Sequence, residues 1–398
     1  MAGNQGGVVG DGLVGDVDWR NHGTAVVGVF GGDDNEFGVT GICPDANVRA
    51  ISALGQGGSA RAIVQAADLL GAGDILLIEL HRPGPRHNFQ LRPNDQRGYV
   101  AIEWWPDDLA AIRYAIGRGV IVVEAAGNGR EDLDDALYDV RPDALTNRFP
   151  ASWRNPYRRL DVDSGAIVVG AGAPPPGTHN RGHGPDRSRL DFSNWGALVD
   201  AQGWGREVTT TGYGDLQGGD SEDLWYTDEF SGTSSASPVV VGALGCLQGM
   251  LRARGAQSLT PARARELLRA TGTPQQDAPG RPVGQRIGRR PDLRQLVAAA
   301  TGTTPPVGGQ GAATPRSGVQ FQGSVAAGQS RRWFTHGWPP ERHVVWNVVP
   351  VTPRAGEPQI RWEVQVERAA DDRLTYWIVV TNLGAAAVDV EGRFTVLN

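Results

Sequence analysis

Apolar and polar positions divide the chain into two regions with different periods. Between about residues 22 and 300, apolar runs of strand length alternate with Ala-rich stretches that have helical spacing. This alternation predicts a parallel α/β sheet flanked by helices. Beyond residue 318 the apolar residues recur at every second position, which predicts a small antiparallel β-sandwich.

The predicted strands of the first region are residues 47–54, 74–80, 120–126, 166–171 and 197–201. Its predicted helices are residues 59–70, a segment from Pro106 to Gly117 or Gly119, and a segment from Thr260 to Gly272. The predicted strands of the second region are residues 344–349, 359–366, 374–380 and 388–396. We therefore predict a catalytic domain at 1–300, a Gly/Pro/Thr linker at 301–317 and an accessory domain at 318–398.

Composition excludes several classes of function. The 398 residues are 40% apolar and carry a net charge of −6, whereas nucleic-acid binders concentrate positive charge. The two cysteines, Cys43 and Cys246, form neither a disulfide framework nor a metal-ligand cluster, although a single bridge between them is an open alternative. No apolar run reaches about 18 residues, so no membrane span is expected. Residues 1–10 lack the features of a secretory signal.

Two motifs place a reactive side chain on a helix of small residues. In Gly232-Thr-Ser-Ser-Ala-Ser-Pro238, a serine stands at the start of such a helix. The backbone N–H groups and the positive end of the helix dipole at this position favour an oxygen that becomes anionic. In His22-Gly-Thr-Ala-Val-Val-Gly28, a histidine leads a second helix of this kind. Taken singly, the motifs also fit an ordinary capped helix and a structural histidine.

A third motif, Glu124-Ala-Ala-Gly-Asn-Gly129, places Asn128 directly after a buried strand. There its amide can donate into the crevice in which α/β proteins place their sites, although alone the motif is a turn. Together and in this order, the three motifs resemble those of the subtilisin-like serine peptidase family. The resemblance implies an endopeptidase with Ser234 as nucleophile, His22 as general base, and Asn128 with the Ser234 N–H as oxyanion donors.

The resemblance also implies a substrate cleft between two strand ends. The first wall follows the strand at 75–78 and consists of Glu79, Leu80 and His81. The second wall lies at the end of the strand at 120–126 and consists of Ala125, Ala126 and Gly127. The family has Ser-Leu-Gly where this chain has Glu79-Leu-His81. An ionised Glu79 facing the pocket would favour Arg or Lys before the scissile bond. The alternative is that Glu79 pairs with an arginine or points to solvent.

The aspartate of the family's triad has no counterpart that we can assign. In the family it closes a strand well upstream of the histidine, but only 21 residues precede His22 here. Their acids, Asp11, Asp16 and Asp18, stand in a Gly-rich stretch with no apolar strand leading into them. We therefore expect an N-terminally shortened product of a longer protease, with negligible peptidase activity. Secretion of that longer parent is an open alternative for its location.

Cofactors and partners are less sharply indicated. The acidic segment 215–229 can bind calcium, but it lacks fixed ligand spacing, so a solvated loop is the favoured interpretation and no cofactor is assigned. A polypeptide is the expected substrate, and the tryptophans after residue 318 suggest either a core or a glycan- or protein-binding face. The main rival function is a non-catalytic relative that acts as a binding protein. An esterase is disfavoured because no Gly-x-Ser-x-Gly elbow surrounds Ser234.

Overall fold

The computed structural model describes residues 5–9, 17–35, 37–53, 57–145, 147–302, 316–340, 342–354, 356–370 and 372–396. The chain divides into two compact units, residues 1–305 and 306–398, which are described separately below. Most of the predicted linker, together with Asp11 and Asp16, lies outside the described residues.

In chain order, the strands of the first unit are β1 (Gln5–Val9), β2 (Val48–Ile51), β3 (Ile75–Ile78), β4 (His81–Pro83), β5 (Tyr99–Ala101), β6 (Ile121–Ala125), β7 (Ile167–Gly172), β8 (Ala201–Trp204), β9 (Val208–Thr211) and β10 (Tyr226–Phe230). Its helices are α1 (Val17–Gly31), α2 (Gly58–Leu69), α3 (Pro106–Gly117), α4 (Thr233–Ala253), α5 (Pro261–Ala270) and α6 (Leu293–Thr301).

A parallel sheet with the strand order β3-β6-β7-β8 forms the centre of this unit. Strand β6 is buried along its whole length because helices cover both faces of the sheet. Ile121 and Val123 pack in a cluster with residues of α4, α5 and α6, whereas Val122 packs with α2 and α3. The predicted fold class, a parallel α/β sheet flanked by helices, is confirmed.

Three two-stranded pairs surround the central sheet: β1 with β2 in parallel, and β4 with β5 and β9 with β10 antiparallel. Strand β8 begins at Ala201, where the pattern placed a strand over 197–201. The shift has a local cause, since Gly196 has φ 138° and Val199 closes a turn by donating its N–H to the Gly196 carbonyl. Helix α1 begins at Val17, so His22 lies in its second turn and does not lead the helix.

Strand β3 forms one edge of the described sheet. Among the described strands it pairs with β6 alone, and its first three residues, Ile75 to Leu77, are only half-buried. Ile75 and Leu77 pack with the cluster on one face and Leu76 with the cluster on the other, so the open edge of β3 presents backbone groups. The prediction that the domain lacks an interior strand stays a prediction.

Two details bear on the composition. Helix α4 is long and apolar enough to cross a membrane by length and composition, and most of its apolar stretch is buried in the core of the unit.

Cys43 and Cys246 are free thiols. Burial and the neighbouring Cys246 raise the pKa of Cys43 to about 11, so the Cys43 thiol is protonated at neutral pH. Cys246 donates its thiol to the Ile42 carbonyl at 3.2 Å, so the loop after α1 contacts α4 at this point.

The second unit contains six antiparallel strands: β11 (Arg316–Val325), β12 (Ser330–Trp338), β13 (Val344–Pro350), β14 (Ile360–Ala370), β15 (Arg373–Asn382) and β16 (Val388–Val396). They form two three-stranded sheets with the orders β11-β16-β13 and β12-β15-β14. Four of its tryptophans belong to the apolar core, namely Trp333, Trp338, Trp346 and Trp362. The fifth, Trp377, lies 5.1 Å from the ring of Phe334, which is 60% exposed. Glycan or protein contact through this domain stays a prediction.

Candidate active site

The start of α4 presents one serine hydroxyl to the surface. Gly232 precedes the helix with φ 104°, a left-handed conformation that favours glycine, and Ser234 is the second helical residue. Ser235 and Ser237 are fully buried, and their hydroxyls donate to the backbone carbonyls of Trp204 and Thr233 at 2.9 and 2.6 Å. Ser234 is half-buried and makes no aligned hydrogen bond with a described residue. Its hydroxyl is therefore the most accessible of the three in this motif.

The Asn128 side chain is fixed against the same turn. Its Oδ1 accepts hydrogen bonds from the backbone N–H and the hydroxyl of Thr233, both at 2.9 Å. Its Nδ2 donates to Gln96 Oε1 at 3.0 Å, which uses one of its two amide hydrogens. The second hydrogen remains for an oxygen next to Ser234, the residue after Thr233. This arrangement suits an oxyanion donor that is held in place before the substrate arrives.

His22 lies on α1 among aromatic rings. Its ring packs edge-on against Trp19 and Phe230, with centroid separations of 6.2 and 5.9 Å. Helix α1 packs against β10 and α4 through Ala25, Val26, Val29, Phe230 and Val239. The histidine and the nucleophile motif are thus brought to neighbouring elements, although no hydrogen bond joins His22 to Ser234 among the described residues.

Burial lowers the pKa of His22 to about 4, because the ring loses the water that would solvate its charged form. Within the described part of the chain, no carboxylate forms an ion pair or hydrogen bond with this ring. Asp18, the one described acid of the three upstream candidates, is exposed on the preceding turn of α1. Among the residues that the structure describes, no acid is therefore assigned to His22.

Strands β3 and β6 bring the two predicted cleft walls together. Ile78 pairs with Glu124, so Glu79 and Ala125 follow side by side at the carboxyl ends of adjacent parallel strands. Ala125 is buried with Ala126 and Gly127, whereas Leu80 and His81 are half-buried.

His81 also contacts the asparagine of the site. Its Nδ1 accepts the Asn128 backbone N–H at 3.2 Å, and its edge meets Tyr99 at 4.8 Å. Burial and the neighbouring His22 lower the pKa of His81 to about 4, so it is a neutral acceptor at physiological pH.

Gly127 has no room for a side chain. It adopts φ 94°, and an added Cβ would lie 2.8 Å from Asn194 Nδ2. That amide donates to the carbonyls of Ala126 and Tyr99 at 2.7 and 2.8 Å, and thereby joins this wall to β5. Asn194 belongs to the Phe-Ser-Asn-Trp-Gly stretch at 192–196, so its side chain has a structural role beside the site.

Glu79 occupies neither of the environments that its sequence suggested. Both carboxylate oxygens are buried and make no aligned hydrogen bond within the described part of the chain. The neighbouring polar groups are the hydroxyls of Ser237 and Ser234, and burial raises the pKa of Glu79 well above its ordinary value. Burial therefore favours the neutral form of this carboxyl. A preference for Arg or Lys stays a prediction, and the raised pKa of Glu79 disfavours the ionised carboxylate that this preference requires.

Two further buried acids lie behind the cleft wall. Glu124 and Glu103 are completely buried, and Ser164 donates its hydroxyl to Glu103. Burial, followed by the charge of Glu103, raises the pKa of Glu124 well above its ordinary value. Burial also raises the pKa of Glu103, although the nearby Arg159 opposes that change. Both Glu124 oxygens are buried without an aligned hydrogen bond within the described part of the chain.

Three residues of the site were not assigned roles from the sequence. Thr233 holds Asn128, Gln96 accepts from its amide, and Phe230 packs on His22. Thr233 lies inside the serine motif, and its position before the nucleophile could have suggested a role. Gln96 and Phe230 carry no local signal, because both act through contacts with distant segments.

The family model described as Subtilase family matches residues 11–288, which is more than half of the chain. The chain belongs to the subtilase family. The match includes the segments that carry His22, Asn128 and Ser234.

Individual relatives are distant and longer. The chain is 27% identical over 245 residues to the intracellular serine protease of Paenibacillus polymyxa, with 61% of this subtilase and 58% of that protein covered. It is 31% identical over 237 residues to the calcium-dependent protease of Nostoc sp., with 56% and 31% covered. The chain thus spans less than two thirds of the length of these relatives.

Solved structures show similarity over a larger share of the chain. The prenylagaramide maturation protease PagA is 19% identical with a TM-score of 0.48, and 75% of this subtilase and 94% of that chain are covered. The patellamide maturation protease PatA is 21% identical with a TM-score of 0.48, and 76% and 90% are covered.

Proposed function

We propose that this subtilase is a serine endopeptidase. Ser234 attacks a peptide carbonyl, His22 accepts its proton, and the Asn128 amide with the Ser234 N–H stabilises the tetrahedral oxyanion. The observation that carries the proposal is the attachment of Asn128 to Thr233, which holds a free amide hydrogen beside the only serine of the motif with an accessible hydroxyl. His22, on the helix that packs against α4, supplies the base.

The substrate lies, in this proposal, along the ends of β3 and β6. Leu80 and His81 form one wall, and Ala125, Ala126 and Gly127 form the other. The short and buried residues of the second wall leave space for a substrate backbone, while Glu79 is buried beside the hydroxyls of Ser234 and Ser237.

A non-catalytic binding protein is the competing function, and covalent labelling separates the two. An activated serine reacts with a fluorophosphonate, whereas a serine that only caps a helix does not. We expect one adduct per chain, and peptide mass spectrometry should locate it on Ser234. A folded chain without an adduct after prolonged incubation would favour the binding protein.

Replacing Asn128 tests the oxyanion donor. We expect Asn128→Ala to lower the labelling rate, or kcat on a peptide substrate, by roughly 10²–10³, the range for losing one such donor. Asn128→Asp is the sharper variant, because its carboxylate can still accept from Thr233 but has no hydrogen to donate.

If donation is the function of Asn128, both variants should lose the same activity. Recovery of the parent rate in Asn128→Asp would show that the side chain only supports the turn. Melting temperatures of the two variants serve as the control for folding.

Calcium is the open alternative for the acidic segment 215–229, and the Nostoc relative is named a calcium-dependent protease. Asp215, Asp228 and Glu229 place carboxylate oxygens within 4.8 Å of one another. However, Arg181 lies 3.7 Å from Asp228 and donates to Glu229 at 2.5 Å, so one guanidinium already pairs with two of the three acids. The group does not fit a calcium site, and no step of the proposed reaction depends on one.

A further inference from the structure

Glu79 is a buried carboxyl group whose nearest polar neighbours are two hydroxyls of the nucleophile motif. It follows β3 directly, and both of its oxygens are out of contact with solvent. The hydroxyls of Ser234 and Ser237 lie beside them, without an aligned bond to either oxygen. A buried polar group next to potential partners usually forms hydrogen bonds with them, because leaving it unpaired costs about 1–3 kcal/mol.

The direction of these hydrogen bonds follows from Ser237. Its single hydroxyl hydrogen is donated to the Thr233 carbonyl at 2.6 Å, so toward Glu79 it can only accept. An ionised carboxylate has no hydrogen to offer and would face an oxygen lone pair. A neutral carboxyl can donate to Ser237, and its burial without a cationic partner favours the neutral form.

The remaining carboxyl oxygen is then an acceptor, and the Ser234 hydroxyl is the donor next to it. We propose that Glu79, as a neutral carboxylic acid, is a positioning residue that accepts a hydrogen bond from the Ser234 hydroxyl while it donates its own proton to Ser237. The chain of bonds runs from Ser234 through Glu79 and Ser237 to the Thr233 carbonyl. It holds the Ser234 side chain in one rotamer until a substrate and His22 compete for its proton.

This inference rests on the proposed function, since it assumes that Ser234 is the nucleophile. It predicts that ionisation of Glu79 lowers the reaction rate, because a negative charge beside Ser234 opposes the anionic oxygen that forms during attack. The reaction rate should therefore fall as the pH rises through the raised pKa of Glu79.

The test measures fluorophosphonate labelling rates between pH 5 and pH 10 for the parent, Glu79→Gln and Glu79→Ala. Glutamine has one donor and one acceptor group, as a neutral carboxyl has, so at pH 7 its rate should stay within about threefold of the parent rate. Glu79→Ala should be about 10- to 100-fold slower, the range for a misplaced reacting group. The parent rate should fall at alkaline pH and the Glu79→Gln rate should not.

A rate in Glu79→Gln as low as that in Glu79→Ala would overturn the proposal, because it would show that the ionised form is required. An unchanged alkaline fall in Glu79→Gln would also overturn it. Glu103→Gln is the matched control: it replaces another buried carboxyl, one with no contact to the serine motif, and should keep the parent profile.

Infrared spectroscopy separates failure of this inference from failure of the proposed function. A neutral carboxyl gives an acid carbonyl band, which should be present in the parent at pH 8 and lost in Glu79→Gln. Absence of that difference would contradict the inference even if Ser234 is labelled. If the difference is present but no variant is labelled, the proposed function fails while the neutral carboxyl stands.

Stability gives an independent measurement of the same state. Because the pKa of Glu79 is raised on folding, the folded chain keeps a proton that the unfolded chain releases, and stability falls as pH rises above the ordinary glutamate range. Glu79→Gln should remove this contribution. Its melting temperature relative to the parent should therefore increase from pH 5 to pH 8, and a constant difference would count against a raised pKa.

Discussion

Replacement of Ser234 with alanine should abolish covalent labelling of this subtilase by a fluorophosphonate. The adduct forms only on an oxygen that is both accessible and activated, and Ser234 is the half-buried serine at the start of α4. Ser235 and Ser237 are buried and already donate to backbone carbonyls, so they cannot substitute for it. Intact-protein mass spectrometry should show one adduct on the parent and none on Ser234→Ala after the same incubation.

Ser235→Ala is the matched control for this experiment. It removes an adjacent hydroxyl whose hydrogen bond to the Trp204 carbonyl is structural, and it leaves Ser234, Asn128 and His22 in place. The variant should keep its adduct, with some loss of melting temperature. If Ser234→Ala still forms an adduct and that adduct maps to Ser235 or Ser237, the assignment of Ser234 as the nucleophile is wrong.

Local patterns sufficed to predict much of the fold. The apolar run at 120–126 is confirmed as β6, because a strand covered on both faces needs continuous apolar residues. The helix from Pro106 to Gly117 is also confirmed, since proline at the first position and acids in the first turn define its start. Such features depend on neighbouring residues alone, and therefore appear in the sequence.

Features that depend on distant partners could not be predicted. The bond from Thr233 to Asn128 joins residues 105 positions apart, and only the adjacency of β6 to the start of α4 creates it. Glu79 was expected in a pocket, in an ion pair or in solvent, because its burial depends on which side of β3 the serine motif covers. Both features depend on tertiary contacts. The sequence motifs identify the residues, but only the folded structure shows what surrounds them.

The activity of this chain should be low even though its serine, histidine and asparagine are in place. In a subtilisin, loss of the triad acid alone lowers turnover by roughly 3 × 10⁴, because that acid fixes the histidine tautomer and stabilises its cation. Within the described residues, the His22 ring contacts aromatic groups and no carboxylate. No acid among the described residues therefore supports the imidazolium that would form if Ser234 attacks, in a site that burial already makes unfavourable for charge.

Titration of His22 tests whether the lack of a facing carboxylate is the reason for the expected low activity. Burial lowers its pKa to about 4, so the ring is neutral above that pH, and the acid limb of any labelling profile should lie near pH 4. A facing carboxylate would instead stabilise the cation and raise the midpoint toward or above the ordinary value of about 6.5. The midpoint can be measured from the ring C–H resonances by NMR, with His22→Gln to separate His22 from His81. Robust, His22-dependent proteolysis with a midpoint near pH 7 would show that an acid does reach the ring, and would contradict this prediction.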